Sequence, residues 1–344
     1  MHTTAAKIFA SYEAAADDGH RPHLGASQIG HRCERYLWLT FRWARKANFS
    51  GRMLRLFATG QLEEARIVAD LRAIGVQVYD LDSDGKQWRV NDIGGHFGGS
   101  MDAAVIGLPE APKTWHVAEF KTHNRKSFED LAKRRVQAAK PQHYAQMQVY
   151  MGLTHMDRAV YVAVNKDNDE LYIERVEFDP AEFTRLTERA ERVIGAAEPP
   201  LRISADPSWW ECKMCDYAAL CHGTALPEVN CRTCAHSTPE TDGDARWTCA
   251  RDKTDLPLHK QHAGCGQHRY IPIMLEKVAE QIDVVDDEVV YRVLEGGATF
   301  RNGNGPGSLT SLELAALETP RMAPDAGYLK MTLHSTGIES RVVA

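Results

Sequence analysis

Residues 114–123, TWHVAEFKTH, carry the reading that decides the fold. An apolar run ends in Glu119-Phe120-Lys121, and on a strand residues two apart share a face, so Glu119 and Lys121 project together. A carboxylate there can hold Mg²⁺, while the adjacent ammonium can orient a water or offset charge developing on phosphate. The same acidic-x-Lys spacing recurs at Asp84–Lys86 and Glu211–Lys213, but only the Glu119 copy closes an apolar strand.

Working outward, Asp102 in GGSMDAAVIG supplies a second carboxylate 17 residues earlier, an interval that fits two adjacent strands joined by the turn GLPEAPK. Gly98 and Gly99 before it allow close approach of backbone or ligand. Further upstream, residues 54–74 form a helix closed by Gly75, with Ile67, Leu71 and Ile74 on one face. Glu63 lies early on that helix, with Glu64 beside it, where an acidic residue also serves simply to offset the helix dipole. Downstream, a helix opens near Pro141 and sets Gln146 and Tyr150 one turn apart, a spacing that core packing alone would also explain. Residues 121–140 carry seven basic side chains against Glu129 and Asp130, a local 7 − 2 = +5 in a chain of net charge −6. Between two candidate site elements, that stretch is expected to meet phosphate instead of serving only as a solvated face. YVAVNKD and LYIERVEF read as a hairpin, and DPAEFTRLTERAERVIGAA as an amphipathic helix, giving an α/β core with a mixed sheet.

Read in order, Gly60-x-x-Glu63, Gly99-x-x-Asp102, Glu119-x-Lys121 and Gln146-x3-Tyr150 resemble the PD-(D/E)XK nuclease superfamily, in particular its RecB-like exonuclease branch. The resemblance spans roughly residues 25–223. It implies a restriction-endonuclease-like core, a central mixed sheet flanked by helices. Glu63, Asp102, Glu119 and the Phe120 carbonyl would bind Mg²⁺ or Mn²⁺. Lys121 would serve the attacking water, and Gln146 and Tyr150 would position metal, water or DNA. Met101 stands where the eponymous proline would be, and Glu63 where the branch often has histidine.

Eight cysteines fall into two groups, which in a reducing compartment suggests metal or cluster binding before disulfides. Cys212, Cys215 and Cys221 form C-x2-C-x5-C, with Cys33 about 180 residues upstream. The layout resembles RecB-like nucleases of the CRISPR-adaptation and AddB types, which carry an iron–sulfur cluster on one N-terminal and three C-terminal cysteines. The resemblance thus implies a structural [4Fe–4S] staple, with Zn²⁺ as the alternative for the same four thiolates. Cys231, Cys234, Cys249 and Cys265 suggest a zinc-ribbon-like site, in which His236 or His268 could replace a cysteine.

Three segments are therefore expected: a nuclease domain over 1–225, a zinc-ribbon-like module over 226–272, and a small C-terminal α+β extension over 273–344 of unassigned role. Within the extension, EVVYRVLEGGATFRNG reads as a hairpin about Gly296–Gly297 and SLTSLELAALE as a short helix. No apolar run is long enough to span a membrane, and no secretory signal is recognised, so a cytoplasmic protein of a bacterium or phage-infected cell is expected. The implied activity is metal-dependent exonucleolytic hydrolysis of DNA ends in recombination, repair or phage DNA processing. DNA is the implied partner, with a recombination or annealing protein as a further one. The rivals are a structure-specific endonuclease, a non-catalytic DNA-binding adaptor and a redox sensor. Against an adaptor stand Asp102, Glu119 and Lys121, a triad that binding alone does not need.

Overall fold

The computed structural model describes residues 3–16, 20–317 and 342–343. The chain divides into two compact units, each built from two separate stretches: 1–31 with 47–192, and 32–46 with 193–344.

The first unit contains α1 (Thr3–Ala15), β1 (Leu24–Gly25), α3 (Gly51–Ala73), β2 (Gln77–Tyr79), β3 (Arg89–Asp92), β4 (Phe97–Ser100), β5 (Ala103–Ile106) and β6 (His116–His123). It continues through α4 (Arg125–Ala139), α5 (Pro141–Thr154), β7 (Arg158–Asn165), β8 (Leu171–Glu177) and most of α6 (Pro180–Gly195). Between α1 and α3 the chain leaves to contribute α2 (Glu34–Phe41) to the second unit.

A five-stranded sheet runs in the order β2-β5-β6-β7-β8. The β6–β7 pair is parallel and its flanking pairs antiparallel, so the central sheet is mixed, with helices against it. Val-, Ile- and Ala-rich strands form it because β6 and β7 are buried almost end to end, which removes the need for alternation. Ile67, Val68 and Leu71 of α3 join Ala103, Val105, Ala118, Phe120, Val160 and Val162 of the sheet in one core. The α3 helix begins three residues before the expected start. The Ser50 side chain accepts from Met53 N, and Glu13 of α1 accepts from Gly51 N at 2.6 Å. A Cβ at position 51 would stand 2.1 Å from the Phe9 carbonyl oxygen, so glycine lets α1 rest directly on that helix start.

The stretch HFGGSMDAAVIG, read from sequence as one strand, is two. β4 pairs with β1 and β3 in a separate three-stranded sheet, whereas β5 belongs to the central one. The break falls at Met101–Asp102, where Met101 N donates to Trp88 O and the chain changes sheets. Gly98, at φ +148°, lies so close to β3 that a Cβ would meet Val90 O at 2.1 Å. A second irregularity lies near the end of α4, where Arg135 has φ +63° and ψ +166°. The buried Glu174 carboxylate holds that kink, accepting from Arg135 Nε at 3.0 Å and Val136 N at 2.9 Å.

In the second unit α2 is anchored by Trp38, whose indole N–H donates to Ala196 O at 2.8 Å. Arg42 donates to the carbonyls of Arg232 and Ser237, and Arg232 to that of Phe41. The Arg232 guanidinium lies 3.7 Å from the Trp43 ring centre. Both guanidiniums are buried, and burial lowers their pKa values. Downstream come α7 (Trp210–Lys213), α8 (Ala218–Cys221) and a small sheet of β9 (Ser237–Pro239), β10 (Trp247–Cys249) and β11 (Thr254–Asp255). After α9 (Leu258–Ala263), a four-stranded sheet joins β12 (Ala279–Val285), β13 (Glu288–Val293), β14 (Thr299–Asn302) and β15 (Val342–Val343), with α10 (Ser311–Leu317) following β14. The β13–β14 hairpin turns about Gly296 and Gly297, both at positive φ; β12 has no counterpart in the sequence reading. The rest of the expected C-terminal extension lies outside the described residues. Among those described, no helix is long and apolar enough to cross a membrane.

Candidate active site

Strand alternation places Glu119, Lys121 and His123 on one face of β6. Glu119 is completely buried, and its Oε1 is ion-paired with Lys121. Neither Glu119 oxygen has a hydrogen-bond donor in acceptable geometry. Asp102, at the break between β4 and β5, accepts from Phe120 N at 2.7 Å and lies 3.9 Å from Lys121 Nζ. Lys121 Nζ also donates to Phe120 O at 3.2 Å.

Two carboxylates thus share one ammonium in a poorly hydrated place, and their titration follows. Burial pushes the Glu119 carboxyl up to about 8; Lys121 opposes the shift and Asp102 adds to it. Burial likewise raises Asp102, against the pull of Lys121 and the Phe120 amide. Burial opposes charge on Lys121, but Glu119 and Asp102 outweigh it and its pKa is raised. Carboxyls that burial keeps protonated can give up those protons to a hard divalent cation, for which carboxylate oxygens are the usual donors. Asp102, Glu119 and the Phe120 carbonyl fit such an ion chemically. Among the described residues, no group of three or more His, Cys, Asp or Glu side chains has the geometry to hold a metal ion.

The expected helix carboxylate, Glu63, is placed differently. It is ion-paired with Arg66 at 3.3 Å, and Arg66 also meets Asp169. Glu64 is the acid coupled to the site. Burial and then Asp102 raise it to about 7, against Lys121 and a 3.1 Å hydrogen bond from Gln87 Nε2. Glu64 in turn raises Glu119. The sequence reading names Glu63, with Glu64 beside it.

Gln146 and Tyr150 share a face of α5, and both are buried. Gln146 Nε2 donates to the Tyr150 hydroxyl at 3.3 Å, and that hydroxyl donates to Ser100 O at 2.8 Å. A Cβ at Gly99 would stand 2.6 Å from the Tyr150 oxygen. The glycine before Asp102 therefore accommodates the tyrosine of the last motif.

Among the described residues, no cysteine forms a disulfide. Cys33, the N-cap residue of α2, acts electrostatically on Cys212, Cys215 and Cys221 in the second unit. Burial raises these three thiols, Cys215 to about 11. Cys231 is likewise raised by burial, to about 12, and it feels Cys265, Cys234 and Cys249. His268 Nε2 pairs with Thr233 Oγ1 at 3.1 Å, and burial lowers its pKa to about 3, so the imidazole is neutral. His236 Nε2 lies 3.7 Å from Asp287.

A central mixed sheet with Glu119 and Lys121 on its middle strand and Asp102 at the break before β5 is the arrangement of a nuclease core. The model of the PD-(D/E)XK nuclease superfamily matches residues 2–222, and the chain belongs to that superfamily. The matched stretch draws on both compact units. Similar solved structures include the following three. SSO0001 matches at TM-score 0.36 and 16% identity, over 63% of this chain and 93% of that one. An alkaline exonuclease (LHK-Exo) from Laribacter hongkongensis matches at 0.36 and 16%, over 54% and 90%. A phage related exonuclease from Haemophilus somnus 129PT matches at 0.34 and 14%, over 50% and 91%. No curated protein matches the chain.

Proposed function

We propose that the chain is a divalent-metal-dependent exonuclease that hydrolyses phosphodiester bonds at DNA ends. The observation that carries this reading is the buried Glu119–Lys121 pair beside Asp102, where carboxylate charge exceeds the cation available. Asp102, Glu119 and the Phe120 carbonyl would hold Mg²⁺ or Mn²⁺, with Glu64 in the part assigned from sequence to Glu63. The bound ion supplies Lewis-acid activation of a water and neutralisation of phosphate charge. Lys121 orients that water and meets the charge growing on the non-bridging oxygen. Gln146 and Tyr150 fix the Gly99–Asp102 turn and so the Asp102 carboxylate. The basic α4 receives the strand backbone.

The test is release of nucleotides from linear DNA with Mg²⁺ or Mn²⁺, compared with a closed circle. Glu119→Ala and Lys121→Ala should each lower the rate by at least about a hundredfold. Cutting of the circle would favour the endonuclease reading, and full activity in both variants would exclude metal chemistry at this site.

We also read Cys33, Cys212, Cys215 and Cys221 as ligands of a structural [4Fe–4S] cluster, and Cys231, Cys234, Cys249 and Cys265 as a zinc set. The cysteine spacing and the electrostatic influence of Cys33 on the first set and of Cys265, Cys234 and Cys249 on Cys231 support these assignments. Iron, sulfide and zinc analysis of anaerobically purified protein checks them; absence of all three removes both.

A further inference from the structure

A chain of neutral polar side chains lies on the sheet face that carries Lys121 and has no part in the mechanism above. Tyr161 of β7 is the register partner of Glu119, and Asn165 that of His123, so Tyr161 and His123 bracket Lys121 along the sheet face. The partner of Lys121 itself is Ala163, a side chain too small to intervene. Over that gap the Tyr161 hydroxyl meets His123 Nε2 at 2.9 Å. From α5, His143 Nδ1 meets the same hydroxyl at 2.8 Å, and from α4 the Ser127 hydroxyl meets His123 Nδ1 at 3.1 Å. The His143 and Tyr161 rings stack at 5.8 Å with 27° between planes. Tyr161 is wholly buried and His123 nearly so, which makes the hydroxyl the hub of a fixed network.

From this geometry we infer that His123, Tyr161 and His143 are positioning residues for Lys121, forming a neutral wall that confines its ammonium to the side of Asp102 and Glu119. The inference rests on the nuclease reading for its consequence, but not for its geometry. A carboxylate in that wall would compete for Lys121, and an imidazolium would repel it. A wall of uncharged donors and acceptors does neither. Consistent with this, burial first and Lys121 among the nearby cations hold both imidazoles neutral, His123 at about 4 and His143 at about 3. Loss of the hub hydroxyl frees both imidazoles to rotate, and Lys121 then samples rotamers that face away from the attacking water.

The experiment compares the full-length protein with Tyr161→Phe, His143→Leu and His143→Asn, in which the amide stands near the position of Nδ1. Two readouts are taken. One is steady-state hydrolysis of linear DNA. The other is the rate of reductive methylation of Lys121 by ¹³C-formaldehyde, which needs no activity. Tyr161→Phe and His143→Leu should lower kcat about ten- to a hundredfold with KM unchanged, and speed labelling of Lys121 severalfold. His143→Asn should restore most of both. An unchanged labelling rate in Tyr161→Phe overturns the inference, as does unchanged kcat beside an active wild type. A purely structural role would lower the unfolding midpoint while leaving kcat and labelling as they were. If the wild type hydrolyses no DNA but labelling responds, the positioning stands and the nuclease reading fails.

Discussion

Gly99 and Tyr150 lie fifty-one positions apart, yet each explains the other. The tyrosine oxygen occupies the place of a Cβ at residue 99 while bonding Ser100 O. Gly99→Ala must therefore push the ring aside or move the backbone next to Asp102. A loss of about 1–3 kcal/mol is expected from the overpacking, read by denaturant unfolding, with a larger fall in kcat than in DNA affinity. The acids of α3 give a second prediction. Glu64→Gln should lower Mg²⁺-dependent turnover about a hundredfold, whereas Glu63→Gln should change it no more than two- to threefold. Titrating activity with Mg²⁺ separates them, and equal losses would return the role to Glu63. Strand alternation made Asp102, Glu119 and Lys121 legible in the sequence. The choice between Glu63 and Glu64 was not, because a helix turns about 100° per residue and one step changes the face. The apolar stripe was read through Ile67, Leu71 and Ile74, but Ile74 is 64% exposed and Val68 is buried. Extending the buried Val68 and Leu71 backwards by four and seven residues leads to Glu64.

Among the elements, α4 shows how a charge count overstates what a ligand meets. Arg125 pairs with Glu129, and Arg134 and Lys140 with Asp130, while Arg135 binds Glu174 through the kink. Surface pairs of this kind contribute little stability, but they must be broken or shared when phosphate binds. Lys126 and Lys133, outside these pairs, are the better contacts. Reversing both to glutamate should weaken DNA binding at least tenfold at low salt and flatten its dependence on log[salt], measured by fluorescence anisotropy in Ca²⁺. The existence and order of the central strands were readable from apolar runs and turns. The β4–β5 break was not, since GGSMDAAVIG has no proline and its glycines serve close approach as well as a bend. The partnership of β12 with β13 escaped because AEQIDVV is mostly exposed and lacks an apolar face.

At the scale of the whole molecule, displaced titrations set the pH at which the metal-free protein is most stable. His123, His143 and His268 are held neutral to about 4, 3 and 3, against 6.5 in the unfolded chain. Between those values only the unfolded state takes up their protons, so stability rises with pH up to 6.5. Glu64 and Glu119 act oppositely: they keep protons to about 7 and 8 that the unfolded chain releases near 4.5, so their contribution falls as pH climbs across that window. Three histidines outweigh two carboxyls below 6.5, and above it only the carboxyl effect remains. Thermal unfolding in chelator should show a maximum near pH 6.5 and a decline toward 8. Added Mn²⁺ should raise the midpoint by several degrees at pH 8 and hardly at pH 5, where protons occupy the carboxyls. A midpoint insensitive to Mn²⁺ at pH 8 would count against the site.

The interleaving of the two units also bears on how the protein is made. Trp38, Phe41 and Trp43 leave the ribosome early, but their bonding partners begin at Ala196. At ~5–20 residues per second, the roughly 150 residues between them take about 7–30 s to synthesise. Throughout that interval a strongly apolar segment has no native cover, flanked on either side by sequence that can already fold. Residues 36–43 therefore go without these partners until the later cysteine-rich half arrives.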